Sequence, residues 1–212
     1  MYYPQVFTKC LKVSGEGKIS VSPNQAKITL GVITENVNLQ QAQAENSQIT
    51  TNVISSLTQL GIPQENIQTV VYRIEPLYDY RDGVQQFRGY QVTHQLQITI
   101  NQIAQTGQIV DLAVSQGANT VTNIEFTVSQ PEAYYNEALK LALNNAFTKA
   151  TALTANLPVN LNPVPFKIEE TLTPPPPVPF ATTMLAKAEA STPIQPGEIT
   201  ISATITVHYF YF

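Results

Sequence analysis

Apolar and polar residues alternate with a period of two along several long stretches of the chain. In 90–100, Gln or Thr occupies every odd position, and every even position except that of His94 is apolar. This period is typical of a strand with one buried face. It predicts strands at 11–22, 26–32, 67–80, 87–100, 121–129, 164–172 and 198–212. Turn residues at 22–25 predict that the first two strands form a hairpin.

Three segments change to helical spacing. The first covers about 39–60, with Asn38 as the N-cap and Gly61 as the terminator. The second covers about 104–116 and ends at Gly117. The third and longest runs from Pro131 to Leu157, and 129–132 matches the capping-box pattern. Its predicted apolar stripe is Tyr135, Leu139, Ala142, Ala146, Ala150, Leu153 and Leu157.

Two of the predicted strands, 67–80 and 87–100, flank Asp82-Gly83, a dipeptide that favours a tight hairpin turn. The hairpin is long enough to extend beyond its sheet, and its tip is aromatic. The tip is either a docking site, since Tyr and Arg are favoured interface residues, or a strand pair covered by its own rings. Its candidate interaction residues are Tyr78, Tyr80, Arg81, Phe87, Arg88 and Tyr90.

A proline-rich segment at 173–197 precedes the last strand. Four consecutive prolines at 174–177 favour an extended arm over a packed element. The arm is either a linker or a second docking element, with Phe180, Met184 and Leu185 as candidate contacts.

The summed order is β-β-α-β-β-α-β-α-β-(Pro-rich arm)-β, which predicts an α+β fold with largely antiparallel sheets. Residues 1–10 are expected to be a tail and 11–212 one domain. The order allows two interlocked lobes, 11–85 and 86–172 plus 198–212.

Composition favours a weakly charged surface. Charged residues make up 12% of the chain, against about 25% in an average protein, and Asn and Gln number 35. Such a surface repels itself weakly, which permits homo-oligomers. The net charge of −4 and the scattered lysines argue against nucleic-acid binding. The arginines near the hairpin turn are interpreted as solubilising turn charge, with an anion or nucleic-acid site as the alternative.

No catalytic motif is recognised. Cys10 is the only cysteine and is interpreted as a small strand residue rather than a reactive thiol. His94 and His208 are interpreted as structural. Gly15-Glu16-Gly17 predicts a bulge or a close backbone approach. We expect no catalytic residues, no metal and no cofactor.

The first 12 residues lack the basic and apolar regions of an export signal, and no apolar run approaches the ~18 residues of a membrane helix. These features predict a cytoplasmic chain without membrane insertion, or an exported or periplasmic one if a leader has been removed.

The order and spacing of short motifs across 11–209 resemble the SIMPL-domain family. The motifs are Val13-Ser14-Gly15-Glu16-Gly17, Val21-Ser22-Pro23-Asn24, Leu30-Gly31-Val32, Leu60-Gly61-Ile62, Ile67-Gln68-Thr69, Asp82-Gly83, Gly89-Tyr90, Gly117-Ala118-Asn119, Ala138-Leu139, Lys149-Ala150 and Pro196-Gly197-Glu198.

The resemblance implies an α+β fold, no established catalytic set and a tendency to homo-oligomerise. Its bacterial members include periplasmic immunogenic proteins and are mostly of unknown function. Leu157-Pro158 stands where relatives often have Leu-Gly, so the exit from the third helix is expected to differ.

Three hypotheses of function follow. The first is a non-catalytic, self-associating protein, such as a scaffold with a stress or envelope role, assembled through strand edges, the hairpin and the arm. The second is a small-molecule-binding module with a pocket near the 78–90 hairpin. The third is an unrecognised hydrolase that uses Asp111 or His94.

Overall fold

The computed structural model describes residues 9–171, 179–180 and 192–212, apart from the side chains of Arg81, Pro179 and Phe180. Within these ranges the α+β prediction is confirmed. The strands are β1 (Cys10–Val21), β2 (Gln25–Asn36), β3 (Ile67–Arg81), β4 (Val84–Ile100), β5 (Thr120–Thr127), β6 (Lys167–Glu170), β7 (Pro179–Phe180) and β8 (Glu198–Phe210). The helices are α1 (Leu39–Gln59), α2 (Thr106–Ser115) and α3 (Pro131–Thr154).

The described residues fall into two compact units. The first comprises those within Met1–Ser22, Gln130–Thr182 and Gly197–Phe212, and the second those within Pro23–Ser129 and Thr183–Pro196. This division differs from the predicted lobes, 11–85 and 86–172 plus 198–212, which would separate β3 from β4. The two strands pair along their length in one sheet.

In the first unit, β1, β8 and β6 form an antiparallel sheet in that order, and β7 also pairs with β8. The chain's last strand therefore returns to pair with its first. Helix α3 covers one sheet face with four buried alanines, Ala138, Ala142, Ala146 and Ala150. Leu153 and Leu157, predicted to belong to the buried stripe, are exposed. Small side chains form the buried face because α3 lies so close to the sheet.

Gly15 and Gly17 permit that close packing. A Cβ at Gly17 would lie 2.0 Å from the Ala138 carbonyl oxygen, and one at Gly15 would lie 2.0 Å from that of Ala142. The pairing of β1 with β8 is continuous, without a register shift. Of the two predicted interpretations, the close backbone approach is therefore confirmed and the bulge is not formed.

In the second unit, the sheet order is β3-β4-β2-β5, all antiparallel. Helices α1 and α2 bury one face of this sheet over a core of Ile, Leu, Val and Ala residues. Asn46 of α1 is also buried, and its amide donates to the carbonyl oxygens of Val32 and Val92, each at 3.0 Å. This contact ties the helix to both central strands.

The predicted hairpin between the first two strands is wrong. β2 pairs with β4 on one side and with β5 on the other. Both edges of β2 are thus occupied, and β1 pairs with β8 instead. Period-two patterning indicates a strand without specifying its neighbour.

Most of the helix caps predicted from the sequence are present in the structure. Asn38 Oδ1 accepts from the N–H of Gln41 at 3.2 Å, while Gly61 and Gly117 take φ values of +99° and +101°. The capping box at 129–132 is wrong, because the N-cap of α3 is Gln130 without a side-chain bond. Ser129 is held by Asn24, whose Oδ1 accepts from the Ser129 N–H at 2.8 Å.

The structure describes only part of the predicted arm at 173–197. Residues 172–178 and 181–191, with Met184 and Leu185, lie outside the described residues. β7 pairs with β8, and Ile194 packs against the core of the second unit. These described parts are packed elements, contrary to the extended arm that the proline content predicted.

We expect Gly17→Ala to lower the free energy of unfolding of the first unit by about 1–3 kcal/mol, because the added methyl overlaps the α3 backbone. Denaturant titration followed by circular dichroism measures this change. Ser20→Ala, on the exposed face of β1, is the control and should change the value by less than about 0.5 kcal/mol. Equal midpoints for the two variants would contradict the close-approach interpretation.

Candidate functional site

The β3–β4 hairpin runs past the end of its neighbouring strand. β2 ends at Asn36, opposite Tyr90, so residues 77–89 form a ribbon that has only two strands among the described residues. The turn residues Asp82 and Gly83 have φ values of 52° and 78°. Positive φ at both positions matches the twist of a tight hairpin, and the predicted turn is confirmed.

Three aromatic rings pack on this ribbon. The ring of Phe87 lies 5.9 Å from that of Tyr78 and 5.1 Å from that of Tyr90, both in edge-to-face geometry. Such pairs stabilise one another beyond the area that they bury. Tyr78 and Phe87 nevertheless remain about half exposed, and Tyr80 near the turn is 74% exposed. The structure therefore brings together three of the four predicted aromatic residues and leaves them accessible.

The hairpin arginines contact carboxylates. Arg88 forms an ion pair with Glu35 of β2, which also accepts from Gln91 Nε2 at 2.8 Å. Arg73 Nη1 lies 3.7 Å from Glu75 Oε2 on the same strand. These two arginines are thus matched in charge, which favours the interpretation of solubilising charge over that of an anion site. The structure does not describe the side chains of Arg81 and Phe180.

A second group of polar residues lies on three adjacent strands of the first unit. Cys10 Sγ of β1 is 3.8 Å from His208 Nδ1 of β8, and His208 Nε2 is 3.3 Å from Glu169 Oε2 of β6. Lys167 lowers the pKa of Glu169, mainly through a hydrogen bond. The contact holds His208 between a thiol and a carboxylate. Sequence reasoning missed it because nothing in the local pattern indicates that β1, β8 and β6 are neighbours.

The residues considered for hydrolysis have structural partners. Asp111 of α2 accepts from the Thr192 hydroxyl at 2.5 Å and from the Thr192 N–H at 3.0 Å, which lowers the pKa of its carboxyl. His94 Nε2 lies 3.0 Å from Thr69 Oγ1, and the His94 ring meets the edge of Tyr72. Asp111 therefore holds the segment before β8, and His94 is part of the sheet face that α1 covers.

An open groove of about 540 Å³ lies between β1 and α3. Val13, Ala152 and Leu153 give it an apolar lining, and Lys12 and Lys149 supply its cations. Lys149 Nζ also donates to the Ser14 carbonyl oxygen at 2.9 Å. Sequence reasoning placed a pocket near the hairpin and missed this groove, which depends on how α3 crosses β1.

The described residues lack two features that would narrow the class of protein. None of the helices there is long and apolar enough to cross a membrane. Within residues 9–171 and 192–212, no three His, Cys, Asp or Glu side chains are grouped so that they could hold a metal ion.

The molecule is thus an α+β protein with two antiparallel sheets, each covered by helix on one face. Over residues 11–209 the chain matches the SIMPL family, described as "Protein of unknown function (DUF541)". It belongs to the SIMPL family, as its sequence motifs indicated.

Several curated proteins are similar to it. The 26 kDa periplasmic immunogenic protein of Brucella melitensis biotype 1 is 32% identical over 207 residues, which cover 93% of this chain and 82% of that protein. The uncharacterized protein YggE of Escherichia coli K12 is 27% identical over 151 residues, or 71% of this chain and 61% of YggE. YggE of Edwardsiella ictaluri is 27% identical over 152 residues, covering 71% and 64%.

Burial lowers the pKa of His94, because the partly buried site solvates an imidazolium poorly. The unfolded chain then binds the proton more readily than the folded one, so stability rises with pH in this window. The contribution is complete above about pH 6.5 and is lost as the pH falls through the lowered pKa. We expect His94→Gln to flatten the pH dependence of the unfolding midpoint between about pH 7 and 5.

At pH 8 the imidazole of the wild type is neutral in both the folded and the unfolded state. The difference in unfolding midpoint between the wild type and His94→Gln at that pH therefore measures the effect of the substitution itself and is the internal control. An unchanged slope in His94→Gln would mean that other groups cause the pH dependence.

Proposed function

We propose that this chain is a non-catalytic protein that self-associates through the β3–β4 hairpin. The observation that carries the proposal is the projecting ribbon of residues 77–89, with its exposed aromatic cluster. A two-stranded hairpin is marginally stable alone in water. Docking of its apolar surface on another chain would supply the missing stabilisation.

The exposed apolar surface continues from the ribbon along β3. Val70, Tyr72 and Ile74 are between 37% and 47% exposed. Contiguous exposed apolar residues with a polar surround are typical of protein interaction sites. The low charge of the chain supports the same proposal, because like copies repel one another weakly.

We further propose a location outside the cytoplasm and a scaffolding role in the envelope, including under stress. The support for the location is the Brucella relative, whose name describes that protein as periplasmic. Fractionation of cells that express the full-length gene product tests this part, and recovery with the cytoplasmic fraction would contradict it.

We expect native mass, measured by light scattering across a concentration series, to exceed that of the 23.3 kDa chain. The double substitution Tyr78→Ser with Phe87→Ser should return the mass to that of the monomer, because it removes two exposed rings of the cluster. Leu153→Ser with Leu157→Ser removes two exposed apolar residues elsewhere and should leave the mass unchanged.

Circular dichroism confirms that each variant is folded. A wild-type monomer at all concentrations would contradict self-association. An unchanged mass in the folded Tyr78 and Phe87 variant would contradict the role of the cluster.

The β1–α3 groove favours a second candidate function, the binding of a small amphipathic anion. Its apolar lining suits an alkyl or aryl group, and the ammonium groups of Lys12 and Lys149 suit a carboxylate. Ligands of many shapes meet this description, so a panel of aliphatic and aromatic carboxylates is the appropriate probe.

A carboxylate that binds the groove should raise the thermal midpoint, since it stabilises only the folded state. Lys12→Gln should weaken that effect, whereas Lys140→Gln, on the exposed surface of α3, should not. If no member of the panel shifts the midpoint, or if both variants respond alike, this candidate is excluded.

A further inference from the structure

The two long edge strands of the molecule differ in how their outer edges are occupied. On β1, the N–H of Glu16 donates to Asn145 Oδ1 at 3.1 Å, and the Ser14 carbonyl oxygen accepts from Lys149. Side chains of α3 therefore occupy part of that edge. Among the described residues, β3 pairs with β4 alone. An unoccupied edge of this length is a template for another strand.

The alternation of hydrogen bonds across the sheet identifies the outward groups of β3. Ile33 of β2 bonds to Asn119 through both its N–H and its carbonyl oxygen, on the side of β5. Odd residues of β2 therefore face β5, and even ones face β4. Even residues of β2 pair with even residues of β4, so the even residues of β4 face β2 and its odd residues face β3. Tyr72, Ile74 and Pro76 pair with even residues of β4, so their backbone groups point away from the sheet.

The position of Pro76 agrees with this assignment. Proline lacks an N–H and is accepted in a strand where its nitrogen faces away from the neighbour. The outer edge thus offers donors and acceptors at Tyr72 and Ile74, and an acceptor alone at Pro76. The β3–β4 register is unbroken from Val71 to Leu77, so this part of the edge is regular.

The sequence around Ile74 is complementary to itself in the antiparallel direction. A two-fold axis at Ile74 would set Ile74 against Ile74 of a second copy and Arg73 against Glu75 of that copy. Arg73 and Glu75 have side-chain exposures of 61% and 50% and share one face. Each would gain an oppositely charged residue across the strand pair, an arrangement that stabilises sheets.

The same register pairs the backbone without a clash. Ile74 of each copy would donate its N–H to the Ile74 carbonyl oxygen of the other, and Tyr72 would donate to Pro76. The missing N–H of Pro76 leaves only the reverse bond unmade. Tyr72 would lie opposite Pro76, so that exposed apolar side chains of both copies cover the new pair.

We propose that two copies of the chain join through β3, antiparallel and in register about Ile74, to form one continuous sheet. The inference deepens the proposed self-association and rests on it. It assigns specificity to the Arg73–Glu75 pair, because a foreign extended peptide would satisfy the same backbone edge without matching these charges.

Charge reversal tests the register. Arg73→Glu would set two carboxylates against each other at both ends of the pair, and Glu75→Arg would do the same with two guanidinium groups. Each single variant should raise the dissociation constant of the dimer at least about tenfold. The double variant should return it to within about threefold of the wild type, as should an equimolar mixture of the two single variants, which forms the matched heterodimer.

Lys18→Glu and Glu16→Lys are the matched controls. They reverse an ion pair with the same two-residue spacing and similar exposure on β1, and they should leave the dissociation constant unchanged. Circular dichroism shows that each variant is folded.

A covalent test uses Ile74→Cys with Cys10→Ser. Directly opposed residues in a hydrogen-bonded pair have Cα atoms about 5.5 Å apart, within the range of a disulfide. Air oxidation should therefore give a dimer on a non-reducing gel. Asn123→Cys with Cys10→Ser, exposed on β5, should stay monomeric on the gel.

The outcomes separate this inference from the proposed function. If the wild type associates but the double variant and the mixture stay as weak as the single variants, pairing about Ile74 is wrong and association through the ribbon stands. If charge reversal on β1 weakens the dimer as much, or if position 123 cross-links as readily as position 74, the register is also wrong. A wild type that remains monomeric would overturn both.

Discussion

The pairing of the first strand with the last organises one of the two units. Cys10–Val21 pairs with Ile199–Phe210 residue for residue, and α3 packs on this pair across Gly15 and Gly17. The contact joins residues at opposite ends of the chain, which is entropically costly to form. The contact of Cys10 with His208 and the β1–α3 groove both depend on it, because each is assembled from segments that are distant in sequence.

The two sheets differ in how the backbone groups of their long edge strands are covered. In the first unit, the alanine face of α3 brings Asn145 and Lys149 within hydrogen-bonding distance of the β1 backbone. In the second unit, α1 and α2 cover a face of the sheet but leave β3 exposed at the side. Natural sheets usually place charge on such an edge. β3 has four charged residues, Arg73, Glu75, Asp79 and Arg81. It also exposes apolar and aromatic residues between them, namely Val70, Tyr72, Ile74, Tyr78 and Tyr80. An edge that exposes this much apolar surface is suited to binding.

Most of the polar residues considered for a chemical role have structural partners. Asp111 holds Thr192, His94 contacts Thr69, and Asn46 ties α1 to two strands. The described residues also present exposed apolar surface, above all Tyr78 and Phe87 of the aromatic cluster. For a member of a family whose function is unknown, this distribution supports a function of binding and assembly.

The sequence by itself determined the three helices, seven of the eight described strands, the turn chemistry at Asp82-Gly83 and the family, because these depend on local spacing and on the φ preferences of single residues. It missed β7, which lies in the segment predicted as an arm. It also indicated the aromatic tip, since alternation assigns side chains to a face. Strand partners were decided only in the tertiary structure. The β1–β2 hairpin was wrong because β4 and β5 occupy both edges of β2, and period two contains no information on which edge a strand will join. The Cys10–His208 contact and the groove were beyond local patterns for the same reason, as they exist only once distant strands are adjacent.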